Sequence, residues 1–243
     1  MKTIVAVIPA RYDSVRFPGK PLKKILGIPM IERVYNRVRS FGKFSKTVVA
    51  TDDKRIFNTV KSFGGDVVMT SRECRSGTDR VWEVVKELKN DAVVNIQGDE
   101  PLISEKLLSE IYNKLSEDDT RVVTAAFFNE SFEDFKSQNV VKALFSKNGK
   151  ALYFSRSPVP YCISEDFMGF YHHIGIYGYN NVDLEKFVNL EESKMEKLEK
   201  LEQLRFLENG INISVIKTDY RSLGVDTPED IIKIENILKG SSN

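Results

Sequence analysis

Ile4-Val5-Ala6-Val7-Ile8 runs directly into Pro9-Ala10-Arg11-Tyr12-Asp13-Ser14-Val15-Arg16-Phe17-Pro18-Gly19-Lys20-Pro21-Leu22, and that junction decides the fold. The apolar, mostly β-branched run predicts a strand buried on both faces, as in parallel sheets. Proline and glycine then break the strand and open a loop at its C-terminal end. Open α/β sheets bind their ligands at that end. Arg11, Arg16 and Lys20 concentrate positive charge on the loop. Such a loop calls for an anionic partner, and a nucleoside triphosphate is a small one. The spacing matches neither a Walker loop, G-x-x-x-x-G-K-[ST], nor a dinucleotide fingerprint with its spaced glycines. Taken alone, the loop also reads as a solvated basic turn.

Working outward, short β-branched runs recur at Thr47–Ala50, Asp66–Met69 and Ala92–Ile96. Between them, helical spacing predicts helices over Met30–Ser40, Lys54–Ser62 and Asp79–Lys89, the last with Val81, Val84, Val85 and Leu88 along one face. Gly64-Gly65 reads as a helix C-cap. The alternation implies βαβ units. Strands predicted at Val122–Phe128, Val140–Phe145 and Ala151–Phe154 lie closer together, which implies a mixed sheet in the second half. Pro158–Tyr171 is the least regular stretch and is expected to be a flap. Glu191–Glu208 predicts one amphipathic helix, with Met195, Leu198, Leu201 and Leu204 on one side and Asn209-Gly210 as its stop. A strand over Ile211–Ile216 and a last helix complete the pattern, the helix capped by Thr227 with Pro228 at its first position. With no repeat, linker or low-complexity block, residues 1–243 are expected to form one α/β domain. Its expected core is a mixed, mostly parallel sheet flanked by helices.

Lys plus Arg number 36 against 35 Asp plus Glu, a formal net charge of +1. Nucleic-acid and anionic-membrane surfaces need a clustered basic excess, so neither partner is expected. Cys74 and Cys162 are the only cysteines and lack metal-site spacing. No apolar run reaches the ~18 residues of a membrane span, and the N-terminal run is too short for a signal peptide. These features predict a cytoplasmic protein.

Gln97-Gly98-Asp99-Glu100-Pro101 follows an apolar strand, again at its C-terminal edge. Asp99 offers hard oxygen ligands, and magnesium takes one or two protein carboxylates while phosphate and water fill its other positions. Asp226, before the last helix, is a second such carboxylate or equally a capping residue. Ser76-Gly77-Thr78-Asp79-Arg80 precedes a helix, whose free N–H groups suit a phosphate, though ordinary capping gives the same pattern. Arg156 suits a carboxylate, His173 a sugar hydroxyl, and Tyr177 a pocket wall; a histidine in an apolar strand is also often purely structural. Glu202 and Gln203 adjoin the apolar stripe of their helix and are candidates to point inward.

Taken in order, PARYDSVRFPGKPL, SGTDR, QGDEP, ALYFSR, HIGIYGY, EKLEQLR and GVDTPED resemble one family from Pro9 to Asp230: the 3-deoxy-manno-octulosonate (Kdo) cytidylyltransferases. The resemblance implies a Rossmann-like nucleotidyltransferase fold and a homodimer. It also implies a Mg2+-dependent transfer of CMP from CTP to the anomeric hydroxyl of Kdo, giving CMP-Kdo and pyrophosphate for lipopolysaccharide biosynthesis. By motif, Arg11, Ser14 and Lys20 would bind the triphosphate, Lys20 and Arg16 would neutralise the departing pyrophosphate, and Ala10, Ser76 and Arg80 would seat the cytidine. Gln97, next to the nucleotide, would also line the sugar pocket with Arg156, His173, Tyr177, Glu202 and Gln203. Asp99 and Asp226 would hold the metal. Sugar binding and dimerisation are expected around residues 120–217. Asp79 stands where the family commonly has Glu. Alternatives are the same chemistry on 8-amino-Kdo or another acidic sugar, and a nucleotide-sugar-binding module without catalysis.

Overall fold

A computed structural model describes residues 2–13, 17–162 and 167–240. In chain order the elements are β1 (Ile4–Ala10), a 3-10 turn (Lys20–Leu22), β2 (Lys24–Ile25), β3 (Ile28–Pro29), α1 (Met30–Ser40), β4 (Lys46–Thr51), α2 (Lys54–Ser62), β5 (Val67–Met69), α3 (Gly77–Val85) and β6 (Ala92–Asn95). Then come α4 (Glu105–Ser116), β7 (Val122–Asn129), α5 (Phe132–Lys136), β8 (Lys142–Phe145), β9 (Ala151–Ser155) and β10 (Phe170–Asn180). The chain finishes with α6 (Asn181–Val188), α7 (Lys194–Glu199), α8 (Leu204–Glu208), β11 (Ile213–Thr218) and α9 (Pro228–Gly240). The fold is α/β, with mixed, mostly parallel sheet flanked by helices. The chain divides into two compact units, Met1–Ser109 with Ser222–Asn243, and Glu110–Arg221.

In the first unit, β1 pairs in parallel with β4 and β6, and β4 pairs in parallel with β5. Ile4 to Ile8 are all buried, as a strand covered on both faces must be. Helices α1 and α2 coincide with the predicted spans. Helix α3 starts two residues earlier than its apolar spacing suggests, because Ser76 and Asp79 form a capping box. Asp79 therefore does the work of the commoner Glu: its Oδ2 accepts the Ser76 N–H at 3.0 Å. The C-terminal segment closes a core cluster of this unit, where Val225 and Ile234 pack with Phe17, Ile25 and Met30.

In the second unit, β7 pairs in parallel with β11 and antiparallel with β10, while β8 pairs antiparallel with β9 and β10. A stack of rings fills one side: Tyr177 on Tyr179 and Tyr179 on Phe206, both 5.7 Å between centroids, and Phe206 on Phe187 at 4.2 Å. The predicted single helix over Glu191–Glu208 is instead two short ones. Lys200 has φ 55° and ends α7 in the left-handed region. The reason lies in Arg205, which grips Glu196 through Nε–Oε2 at 2.8 Å and Nη2–Oε1 at 2.6 Å, with its guanidinium 4.3 Å above the Phe187 ring. A continuous helix would hold these two residues ~13 Å apart along its axis, so the buried pair forms only if the chain reverses between them. Of the predicted flap, Ile163–Asp166 lie outside the described residues, and Phe170 already opens β10.

Candidate functional site

Three separated segments of the first unit meet at the C-terminal ends of β1 and β6. The first is the loop after β1, whose return is shaped by Gly19 at φ +68°. A Cβ there would also press on the Tyr12 ring at 3.0 Å, so this turn needs glycine. It delivers Lys20. The second is the loop after β6, where a Cβ on Gly98 would lie 3.0 Å from the Pro9 carbonyl oxygen; the missing side chain lets this loop approach β1 and brings in Asp99. The third is the segment before α9. Its Val225 N–H donates to the Asp99 carbonyl at 2.9 Å, and Asp230 Oδ2 accepts the N–H groups of Asp226 and Thr227 at 3.1 and 3.0 Å.

Lys20 joins all three. Its ammonium donates to Asp99 Oδ2 at 2.5 Å, to the Val225 carbonyl at 2.7 Å and to Asp226 Oδ1 at 3.4 Å. The Lys20 side chain is 13% exposed, against 30% for Asp99 and 51% for Asp226. Beside this knot lies a cavity of about 290 Å³, lined among others by Ala10, Arg11, Asp13, Lys20, Gln97 and Asp99. The first turn of α3 also borders it through Gly77, offering helix N-terminal N–H groups to an anion. Two carboxylates on one cation are the donor set that a small hard divalent ion shares with a polyphosphate. No cluster of three or more His, Cys, Asp or Glu side chains forms a closed metal cage among the described residues.

The expected nucleotide contacts divide. Ala10, Arg11, Lys20 and Gln97 line the cavity, and Arg11 Nη2 donates to the Cys74 carbonyl at 3.0 Å. The Ser76 hydroxyl is engaged by the Asp79 N–H at 3.1 Å. Arg80 does not line the cavity: it is fully buried and tied to Asp52 at 2.8 Å and to the Thr70 hydroxyl. Its charge locks the ends of β4 and β5 together, so it shapes the site from behind. Ser14 and Arg16 lie outside the described residues. Asp13, which the sequence reading left unassigned, borders the cavity; a single acid in a basic loop was its only signal.

In the second unit, His173 Nε2 lies 2.8 Å from the Tyr177 hydroxyl and 3.1 Å from Thr124 Oγ1. A register shift between Ile174 and Tyr177 breaks the β10–β7 ladder. Thr124 ties off the freed backbone by donating to the Ile174 and Ile176 carbonyls at 3.1 and 2.8 Å. Burial pushes His173 down to about 3 and His172 to about 4, and holds the Tyr177 phenol well above its usual range. Both histidines are thus neutral near pH 7. Unfolded, they titrate near 6.5, so on acidification the unfolded chain takes up protons that the folded chain refuses. Stability should therefore fall as the pH drops from 6.5 to 5, by about 1 kcal/mol per pH unit for each histidine. Urea unfolding across that window checks this, and His172→Asn should halve the slope; a flat profile would contradict the burial argument. Arg156, Glu202 and Gln203 also belong to this unit, with Gln203 buried at 5% exposure.

The cytidylyltransferase family model matches residues 5–214. A 3-deoxy-manno-octulosonate cytidylyltransferase from Thermodesulfovibrio yellowstonii is 46% identical over 248 residues, covering 96% of this chain and 97% of its own. Another from Syntrophotalea carbinolica is 46% identical over 250 residues, covering 98% and 99%. The solved structure of a CMP:2-keto-3-deoxy-manno-octonic acid synthetase complexed with CTP matches with a TM-score of 0.92 at 38% identity, over 98% of this chain and 99% of that one. At 18% identity and a TM-score of 0.63, a 4-diphosphocytidyl-2C-methyl-D-erythritol synthase from Anaerococcus prevotii shares the fold alone. The chain belongs to the 3-deoxy-manno-octulosonate cytidylyltransferase family.

Proposed function

We propose that this chain transfers CMP from CTP to the anomeric hydroxyl of Kdo, releasing pyrophosphate. The observation that carries the reading is the meeting of Lys20, Asp99 and Asp226 beside a strand-end cavity that also holds Arg11. The sugar oxygen forms a bond to the α-phosphorus as the bond from that phosphorus to the bridging oxygen of pyrophosphate breaks; the hydroxyl proton leaves to solvent. Such a reaction asks the protein mainly for positioning and charge neutralisation. Lys20 and Arg11 meet the negative charge of the triphosphate, with Arg16 joining Lys20 on the leaving pyrophosphate. Asp99 and Asp226 would hold Mg2+, which when bound supplies Lewis-acid neutralisation of phosphate oxygens. Gln97, Arg156, His173, Tyr177, Glu202 and Gln203 would bind the sugar. Neutral His173 suits hydrogen bonding to a hydroxyl better than proton abstraction.

The same reading includes a homodimer and a cytoplasmic location, in which Cys74 and Cys162 stay outside any disulfide. No helix among the described residues is long and apolar enough to cross a membrane. The test is pyrophosphate release with CTP, Mg2+ and either Kdo or 8-amino-Kdo as acceptor, with light scattering for the dimer. Release with Kdo is expected. Release with the amino sugar alone would keep the chemistry and change the substrate, and release with neither would overturn the reading.

A further inference from the structure

Arg156 directly follows β9, and its surroundings hold most of its polar groups. The backbone N–H donates to Glu199 Oε2 at 2.8 Å, Nε to the Glu199 carbonyl at 2.9 Å, and Nη1 to the Gln138 carbonyl at 3.0 Å. Its own carbonyl accepts from Lys142 Nζ at 2.5 Å. Lys142 is 1% exposed and also donates to the Ser137 and Val140 carbonyls at 2.9 and 2.8 Å. Glu199 Oε1 accepts from the Ser155 hydroxyl at 2.7 Å. Among the described residues, Nη2 of Arg156 alone on that guanidinium donates to no neighbour.

Glu199 is the last residue of α7, and the left-handed turn at Lys200 that follows it leads to Glu202 and Gln203. The Arg205–Glu196 pair clamps that turn from the far side. Gln203 Nε2 is buried with no partner among the described residues. Arg156 Nη2 and Gln203 Nε2 are therefore spare donors on two segments that Glu199 ties together. A buried donor left unpaired, as at Gln203, carries a cost that a ligand rich in acceptors removes, and half-buried Arg156 leaves Nη2 open to the same ligand. A carboxylated, polyhydroxylated sugar is such a ligand.

We infer that Glu199 is a positioning residue for the acceptor sugar. Its carboxylate anchors the Ser155 hydroxyl and the Arg156 backbone N–H while its carbonyl holds Nε, and together they aim the Arg156 guanidinium at the sugar carboxylate and tie that arginine to the Glu202–Gln203 turn. The inference rests on the sugar-binding reading above. The carboxylate–guanidinium fork has strict geometry, so a small misplacement of Arg156 weakens acceptor binding without touching the nucleotide site.

The experiment is steady-state kinetics of the full chain with Kdo and CTP varied separately. Glu199→Ala should raise KM for Kdo by about 10- to 100-fold and leave KM for CTP within about twofold. Glu199→Gln, which can still accept the Arg156 N–H and bond Ser155, should recover to within about threefold of the parent. In an Arg156→Ala background, Glu199→Ala should add less than about twofold, because the two act as one unit. Equal rises in both KM values, additive losses, or an unaffected Kdo KM in Glu199→Ala would overturn the inference. Should Glu199→Ala fail to fold, Ser155→Ala removes one of its donors and should show the same split at about threefold; an equal effect on both substrates would refute the role. Arg156→Ala separates the two layers. If it leaves Kdo KM unchanged, the sugar-binding reading fails; if it raises Kdo KM while Glu199→Ala does not, only the positioning role fails.

Discussion

Asp99→Asn should abolish pyrophosphate release, by at least ~10³-fold, while the chain stays folded. Asparagine keeps the size of the side chain and one carbonyl oxygen, so the approach of the Gly98 loop to β1 and the Val225 N–H bond to the residue-99 carbonyl survive. What disappears is the negative charge that Lys20 contacts at 2.5 Å. Without it, the paired carboxylates needed to hold a hard divalent cation are reduced to Asp226 alone. The cost in stability should be modest, because Asp99 is 30% exposed and solvent screens the pair; ~1 kcal/mol or less is expected, a fall in Tm of ~2–4 °C. Circular dichroism melting beside the pyrophosphate assay tests both halves. A variant that melts like the parent and turns over at near-parent rate would remove Asp99 from the mechanism.

Lys20→Ala should lower kcat by ~10²- to 10³-fold, the usual cost of losing one group that meets charge developing in the transition state. Its effect on KM for Kdo should stay within ~3-fold, because the charge lost belongs to the phosphate side of the reaction. The same side chain contacts Asp99 and Asp226 and bonds the Val225 carbonyl. Its removal therefore leaves the two carboxylates without that counter-ion, and added salt or Mg2+ should steady the fold of the variant more than that of the parent. Rapid-quench measurement of a single turnover separates chemistry from product release. An unchanged single-turnover rate would contradict the role given to Lys20.

Much of the frame was legible in the sequence. The strands β1, β4, β5 and β6, the helices α1 and α2, and the loops at the ends of β1 and β6 follow from local apolar periodicity and from where Pro and Gly interrupt it, whereas the two-residue strands β2 and β3 are too short to leave a period. Helix α4 is not among the expected elements, although its Leu107, Leu108, Ile111 and Leu115 are buried at helical spacing. Nor are the short α5 and α6, which open on the capping residues Ser131 and Asn180.

The stretch over Glu191–Glu208 shows where local reading fails. Its apolar spacing satisfies a single helix, yet the buried contact between Arg205 and Glu196 is worth having only across a reversal at Lys200. Arg80 shows the same limit. Nothing near it in sequence reveals that Asp52 and Thr70 will claim its guanidinium and seal it in the interior. The α/β class, the strand-end loops and the family motifs are legible locally, because strand and helix periods and turn chemistry act over a few neighbouring residues. Which charges serve the cavity and which serve the frame depends on contacts between distant parts of the chain. Lys20 meets Asp226 across 206 positions of chain, and Glu199 meets Arg156 across 43. Such partners are selected by how the whole chain closes, since a buried charge must find whatever opposite charge or carbonyl the packing brings within reach.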